Sequence, residues 1–235
     1  VCIVVEGLSR LLIIFLGPQG SGKTTQAILL KRKLKMLGYK VAVTESVHYT
    51  ILLRVWHKLL VFLTRRRIRY RFRREGLIEE FVEPSLLARM FRVDFVVNLI
   101  SAVTSSLKIS LLSLLYPVVI EHEGFVYNQL AYLCFIYRKL FTIKSLIKSY
   151  QILLRLPPRK RLVILLDMSS LKPGELYARY RRRGGLSEPW HYIGYQMVVY
   201  RVLASMEQRH ALFDAGMNMI ELSKDIYAFI FQNLK

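Results

Sequence analysis

Two apolar rhythms alternate along this chain. LLIIFLG, residues 11–17, is an unbroken apolar run that ends in glycine, the pattern of a strand buried on both faces of a parallel sheet. Residues 23–37 then carry apolar positions at helical spacing and stop at Leu37-Gly38. YKVAVTE (39–45) predicts a second strand, and 48–63 reads as a helix. An arginine-rich stretch follows, then a long helical pattern from about 85 to 115. PVVIE (117–121) is a third strand, with Pro117 at its first position, where proline is tolerated. Residues 125–154 read as helix, Pro157-Pro158 punctuates, and RLVILLD (161–167) is a fourth strand. Helices are predicted around 171–182 and 189–213, NMIEL (218–222) as a short fifth strand, and a final helix closes the chain. Strands that alternate with helices imply an α/β fold, a parallel sheet covered on both faces. No internal repeat or low-complexity linker divides residues 1–235, so a single domain is expected.

Composition narrows this picture. With 53% hydrophobic residues and a mean hydropathy of +0.30, the 235 residues form a large core, and disorder is excluded. No uninterrupted apolar run reaches the roughly 18–20 residues of a membrane span. Arg54, His57 and Lys58 break 51–63, and Asp94 and Lys108 break 93–120. VCIVVEGLSR has no basic n-region and meets Glu6 early, so no signal peptide is read and a cytoplasmic location is expected. Cys2 and Cys134 lie far apart without metal-ligand spacing and are expected to be free thiols.

Charge is the strongest compositional signal. A net +20 and a pI near 10.2 attract polyanions: nucleotides, nucleic acid or anionic lipid surfaces. RRRIRYRFRRE (65–75) interleaves arginine with Ile68, Tyr70 and Phe72, and no acid occurs from Gly124 to Leu166. Two readings stand, a solvated basic face or a polyanion-binding surface.

Candidate chemistry begins at Gly17-Pro-Gln-Gly-Ser-Gly22-Lys23-Thr24, which fits GxxxxGK[ST] between a strand and a helix. Glycines at 17, 20 and 22 let backbone N–H groups turn inward around phosphate oxygens, and the helix that starts near Lys23 adds its positive dipole end. Lys23 reaches β- and γ-phosphates, and the Thr24 hydroxyl is a Mg²⁺ ligand. The cofactor-binding residues read here are Gly17, Gln19, Gly20, Ser21, Gly22, Lys23, Thr24 and Thr25, with ATP and Mg²⁺ as cofactors. No NKxD base-reading motif of a GTPase is present. Glu121 and Glu123 share a face if the third strand persists, and they read either as acids at its ligand-binding end or as solvent-exposed acids opening a loop. His122, on the other face, is read as structural or exposed.

GSGKTTQ, with Gln26, within LIIFLGPQGSGKTTQAILLKRKLKMLGYKVAVTES resembles the opening of the thymidylate kinases, in the nucleoside monophosphate kinase group. VVIEHEGFVYNQLAY resembles that family's strand ending in Asp-Arg-Tyr and the helix with Leu-Ala-Tyr, which places Glu123 on the aspartate and matches Tyr132. VILLDM (163–168), LYARYRRRGG (176–185) and ELSKDI (221–226) resemble its Leu-Asp strand, arginine-bearing lid and last strand with the adenine-side loop. The resemblance implies a P-loop NTPase three-layer sandwich, with a five-stranded parallel sheet in order 2-3-1-4-5 and a lid over about 178–190. It also implies Mg²⁺-dependent phosphoryl transfer from ATP to a nucleoside monophosphate.

Carried over residue by residue, Lys23, Glu123 and Arg183 are the catalytic set, Arg179 contacts the cofactor, and Thr24 and Glu123 hold the metal. Glu45, Phe91, Arg92 and Tyr132 face the nucleotide substrate, and a homodimer through the apolar 93–115 region is implied. Asp167 is expected to support the fold or the lid base. The acceptor half departs from the family pattern. Thr44-Glu45-Ser46 replaces Arg-Glu-Pro, Phe95 stands in an arginine's place with Arg92 a helical turn away, Gly124 replaces the Asp-Arg-Tyr arginine, and Leu133 replaces a glutamine. The alternative function is a diverged ATP-binding protein whose basic surface holds nucleic acid, membrane or a partner.

Overall fold

A computed structural model describes residues 10–44, 55, 69–73, 76–80, 84–122, 125–137, 142–148, 160–171, 175 and 190–234. The central strand is β1 (Leu11–Leu16), every residue of which is buried. It is apolar throughout because both its faces are covered. Leu12, Ile14 and Leu16 enter one core cluster, and Leu11, Ile13 and Phe15 enter the other. Helix α1 (Lys23–Met36) and strand β2 (Val41–Thr44) follow. After β3 (Arg69–Arg73) and β4 (Gly76–Glu80) come α2 (Pro84–Leu115), β5 (Val118–Glu121) and α3 (Phe125–Ile136). The chain ends in β6 (Lys160–Asp167), α4 (Trp190–Ser205), β7 (His210–Asp214) and α5 (Met219–Leu234).

The main sheet runs β2-β5-β1-β6-β7, and all of its pairings are parallel. Counted along its own five strands this is the order 2-3-1-4-5, so the α/β expectation and the strand order hold. The Leu11 face packs on α1 and α5 through Ala27, Leu30, Leu34, Ile226 and Ile230, and the Leu12 face packs on α2, α3 and α4.

Three expectations change. NMIEL is not a strand, and the predicted helix over 189–213 stops at Ser205. The fifth strand is HALFD, in register with β6 from Val163↔His210 to Asp167↔Asp214. Asn218 caps α5 instead: its Oδ1 accepts the Ile220 N–H at 2.9 Å. Buried Leu222, Ile226 and Ile230 then recur every fourth residue, a helical period that a short apolar window hides. The arginine-rich run, to which the apolar pattern assigns no element, contains β3, paired antiparallel with β4 in a separate two-stranded sheet. Arg-Tyr-Arg-Phe-Arg has the period of two that a strand requires. The helix predicted over 125–154 breaks after Ile136 and resumes over 143–148, where the Thr142 hydroxyl accepts the Ser145 N–H at 3.2 Å. Most of 48–63 and 171–182 lies outside the described residues.

Helix α2 is amphipathic in reverse. Asp94, Asn98, Ser101, Ser105 and Ser106 are buried, while Val96, Ile100, Leu107, Leu111 and Leu114 are about half exposed. Its stretch Arg92–Leu115 is long and apolar enough to cross a membrane by length and composition, although part of it is buried in the protein. Asp94 and Lys108 interrupt its apolar run without breaking the helix.

Candidate functional site

The turn from β1 into α1 is built by three glycines at positive φ: Gly17 (147°), Gly20 (85°) and Gly22 (95°). Side-chain-bearing residues rarely hold such angles. Gly17 is constrained twice over. A Cβ there would meet Ser21 Oγ at 2.6 Å and the Leu166 carbonyl oxygen at 2.8 Å. At Gly22 the space is open, and backbone conformation alone favours glycine. Pro18 and Gly20 are buried and Gln19 is the exposed tip, while Ser21 N–H donates to Pro18 O at 3.2 Å to close the turn.

The loop is electrically positive. Gly22 caps α1 without a side-chain hydrogen bond, and the first turn holds no acid, so the positive end of the helix dipole is left uncompensated. Lys23 Nζ folds over the loop and donates to Gly17 O (2.7 Å) and Pro18 O (2.9 Å). Ser21 Oγ is buried with no hydrogen-bond partner in the structure, an orphaned polar atom inside the turn. Thr24 and Thr25, in the first turn of α1, are half-buried.

The carboxyl ends of β5 and β6 flank this loop, since β1 pairs with both. Glu121 ends β5 in register with Ile14 and is wholly buried. His122 is buried too, and its Nδ1 lies 3.4 Å from Thr24 Oγ1. Of the two readings of His122, exposed or structural, burial excludes the first. Strand alternation puts it on the Ile120 face, the face that packs on α1. The signal was present in the sequence, but it required knowing which face α1 covers. Glu123 lies outside the described residues.

At the end of β6, Asp167 accepts hydrogen bonds from Arg201 Nε (3.1 Å) and Nη2 and from Ser169 N–H (2.9 Å). Burial works to raise its pKa. The Arg201 and Ser169 hydrogen bonds outweigh burial and hold the carboxyl below its ordinary range. The expected supporting role of Asp167 fits this pairing. Gln26 is also structural in its contacts. It is buried, its Oε1 accepts from Ser223 Oγ at 2.8 Å, and the bond ties α1 to α5.

The residues expected on the acceptor side are less gathered. Arg92 is exposed on α2, and Phe95 packs against the core. Between them Asp94 is buried, accepting from Tyr137 Oη at 2.7 Å and from Asn98 Nδ2 at 3.1 Å. Tyr132 is half-buried against the same core cluster. Phe91 belongs to α2, but its side chain is outside the description. Glu45, Arg179, Arg183 and the expected lid up to Trp190 also lie outside the described residues. Among the described residues, no group of three or more His, Cys, Asp or Glu side chains could hold a metal ion. Of the two expected metal ligands, Thr24 is described and Glu123 is not.

No protein-family model matches the chain, and no curated protein shows significant similarity to it. The functional reading therefore rests on the loop and its surroundings.

Proposed function

We propose that the chain is a P-loop nucleotide phosphotransferase that moves a phosphoryl group from Mg-ATP to a nucleoside monophosphate, in the manner of the thymidylate kinases it resembles. The observation that carries this reading is the Gly17–Thr24 turn: three positive-φ glycines, an uncapped helix N-terminus and a lysine ammonium, set between the carboxyl ends of β5 and β6. An open α/β sheet binds its ligands at such a strand-order switch.

The residues present fit a polyphosphate. The orphaned Ser21 hydroxyl and the N–H groups opening α1 are donors with capacity to spare. Mg-ATP, when bound, supplies the phosphoryl group and the metal charge that polarises it. Lys23 would exchange its contacts with Gly17 O and Pro18 O for phosphate oxygens, and Thr24 would turn its hydroxyl to the metal. Glu123 would act at the acceptor or the metal, and the lid arginines Arg179 and Arg183 would neutralise charge on the transferring group. A cytoplasmic site of action accords with this substrate class.

A second reading has its own observation. Asp94, Phe95 and Tyr137 are committed to the core, and Arg92 points to solvent, so the helix expected to grip the acceptor is largely occupied with packing. In that reading the chain binds ATP without passing on its phosphate. Acceptor-dependent ADP release separates the two, with Lys23→Ala as control. A kinase loses turnover in this variant, whereas release in the parent chain that ignores every acceptor supports the second reading.

A further inference from the structure

The sheet is electrically polarised along its strands, and the end away from the glycine-rich loop has no assigned role. β5, β6 and β7 end in Glu121, Asp167 and Asp214, all at the loop edge. The opposite edge is cationic. Arg10 precedes β1, Lys40 precedes β2, Lys160 opens β6 and Arg209 precedes β7. Across the order β2-β5-β1-β6-β7 these cations span on the order of 19 Å, at about 4.8 Å per strand. Lys33 and Lys35, both exposed, add the last turn of α1, which ends at the same edge. Among the described residues the acid at this edge is Glu207, and it is engaged by Arg161 at 3.1 Å and by the Tyr127 hydroxyl.

Large apolar side chains are mixed with these cations. Met36 is 81% exposed and Leu37 48% at the end of α1, Leu115 is 72% exposed at the end of α2, and Met206 is 48% exposed just after α4. A nucleic acid is met by hydrogen-bond donors and flat stacking groups. Cations interleaved with protruding Met and Leu side chains instead suit anionic headgroups over an acyl interior.

We propose that the amino edge of the sheet docks on an anionic lipid bilayer, with Lys33, Lys35, Lys40 and Arg10 on the headgroups and Met36, Leu37 and Leu115 entering the interface. The six residues of β1 place the glycine-rich loop about 20 Å above that surface, open to the aqueous phase. The inference does not depend on phosphoryl transfer.

The test is sedimentation of the full chain with vesicles of phosphatidylcholine alone, or with about one-third phosphatidylserine. Binding to the anionic vesicles is expected to exceed binding to neutral ones at least tenfold and to fall with added salt. Each lost cation weakens binding about fivefold, so Lys33→Gln/Lys35→Gln costs on the order of 25-fold. Met36→Asn/Leu37→Asn weakens the salt-resistant remainder several-fold. Circular dichroism and the thermal midpoint verify folding, which these exposed positions leave intact. Equal binding to both vesicle types would overturn the proposal. So would a silent Met36→Asn/Leu37→Asn variant with a short RNA duplex displacing the vesicles, since the edge would then be a nucleic-acid surface. Loss of vesicle binding in Leu107→Asn/Leu111→Asn, with Lys33→Gln/Lys35→Gln unchanged, would overturn it in favour of α2.

Discussion

Adding one methyl group to Gly17 tests whether the loop is as tightly specified as its geometry implies. In Gly17→Ala the new Cβ meets Ser21 Oγ at 2.6 Å and Leu166 O at 2.8 Å while φ stays at +147°. The backbone conformation alone costs an L-residue about 1–2 kcal/mol. Forcing a methyl into filled space adds about 1–3 kcal/mol. The sum, roughly 2–5 kcal/mol, is a large share of a typical folding stability of about 5–15 kcal/mol. Gly22→Ala is the control. Its φ of +95° carries a similar conformational cost, but nothing lies within 4 Å of the added carbon, so about 1–2 kcal/mol is expected. Urea unfolding followed by circular dichroism measures both variants. Ser21→Gly in the Gly17→Ala background removes one obstacle and leaves the Leu166 carbonyl, so it recovers only part of the loss. If Gly17→Ala is no less stable than Gly22→Ala, or Ser21→Gly restores it fully, the Leu166 carbonyl does not bound the loop and the reasoning fails.

Three further outcomes follow from the packing. Asp167 has a lowered folded pKa, so its pairing stabilises the protein above the ordinary carboxylate range near pH 4 and is lost as pH falls through the folded value. Because Arg201 is nearly half exposed, the loss in Asp167→Asn is about 1 kcal/mol at pH 7, and it shrinks towards pH 2 in a series of melting temperatures; a constant difference would contradict it. Burial, then the neighbouring Asp94, pushes the Tyr137 phenol above its ordinary range, and Tyr137→Phe strips a hydrogen bond from a buried carboxyl. That costs about 1–3 kcal/mol by urea titration, and a change under 0.5 kcal/mol would argue against the bond. The outward apolar face of α2, made of Val93, Val96, Ile100, Leu107, Leu111 and Leu114, is proposed to close against a second copy. Pairing two such faces would bury on the order of 1,200 Å², the lower end of stable interfaces. Leu107→Glu/Leu111→Glu should then yield monomers by light scattering, and an unchanged mass would sink the idea.

Where the apolar pattern was continuous the sequence was legible. LLIIFLG and RLVILLD need cover on both faces and so announced a parallel sheet, and the glycines between β1 and α1 marked the loop to the residue. Legibility failed where tertiary context overrode local pattern. NMIEL is as apolar as a strand, but Asn218 supplies a cap that turns it into helix. HALFD is an edge strand with Leu212 exposed, so it lacked the solid hydrophobicity of the inner strands. Helix α2 hides serines and shows leucines, which no rule of apolar inside and polar outside would anticipate. In the site, Lys23 and Thr24 followed from the motif. The approach of His122 to Thr24 depends on strand register and on the side α1 occupies, neither of which a linear motif encodes.

The most direct test of the proposed activity is ADP release from Mg-ATP by the full chain, measured across nucleoside monophosphates and beginning with dTMP. Phosphotransfer predicts release that rises with one acceptor above the ATP-only background and disappears in Lys23→Ala. Tight ATP binding through the same lysine, with release indifferent to every acceptor, would contradict it.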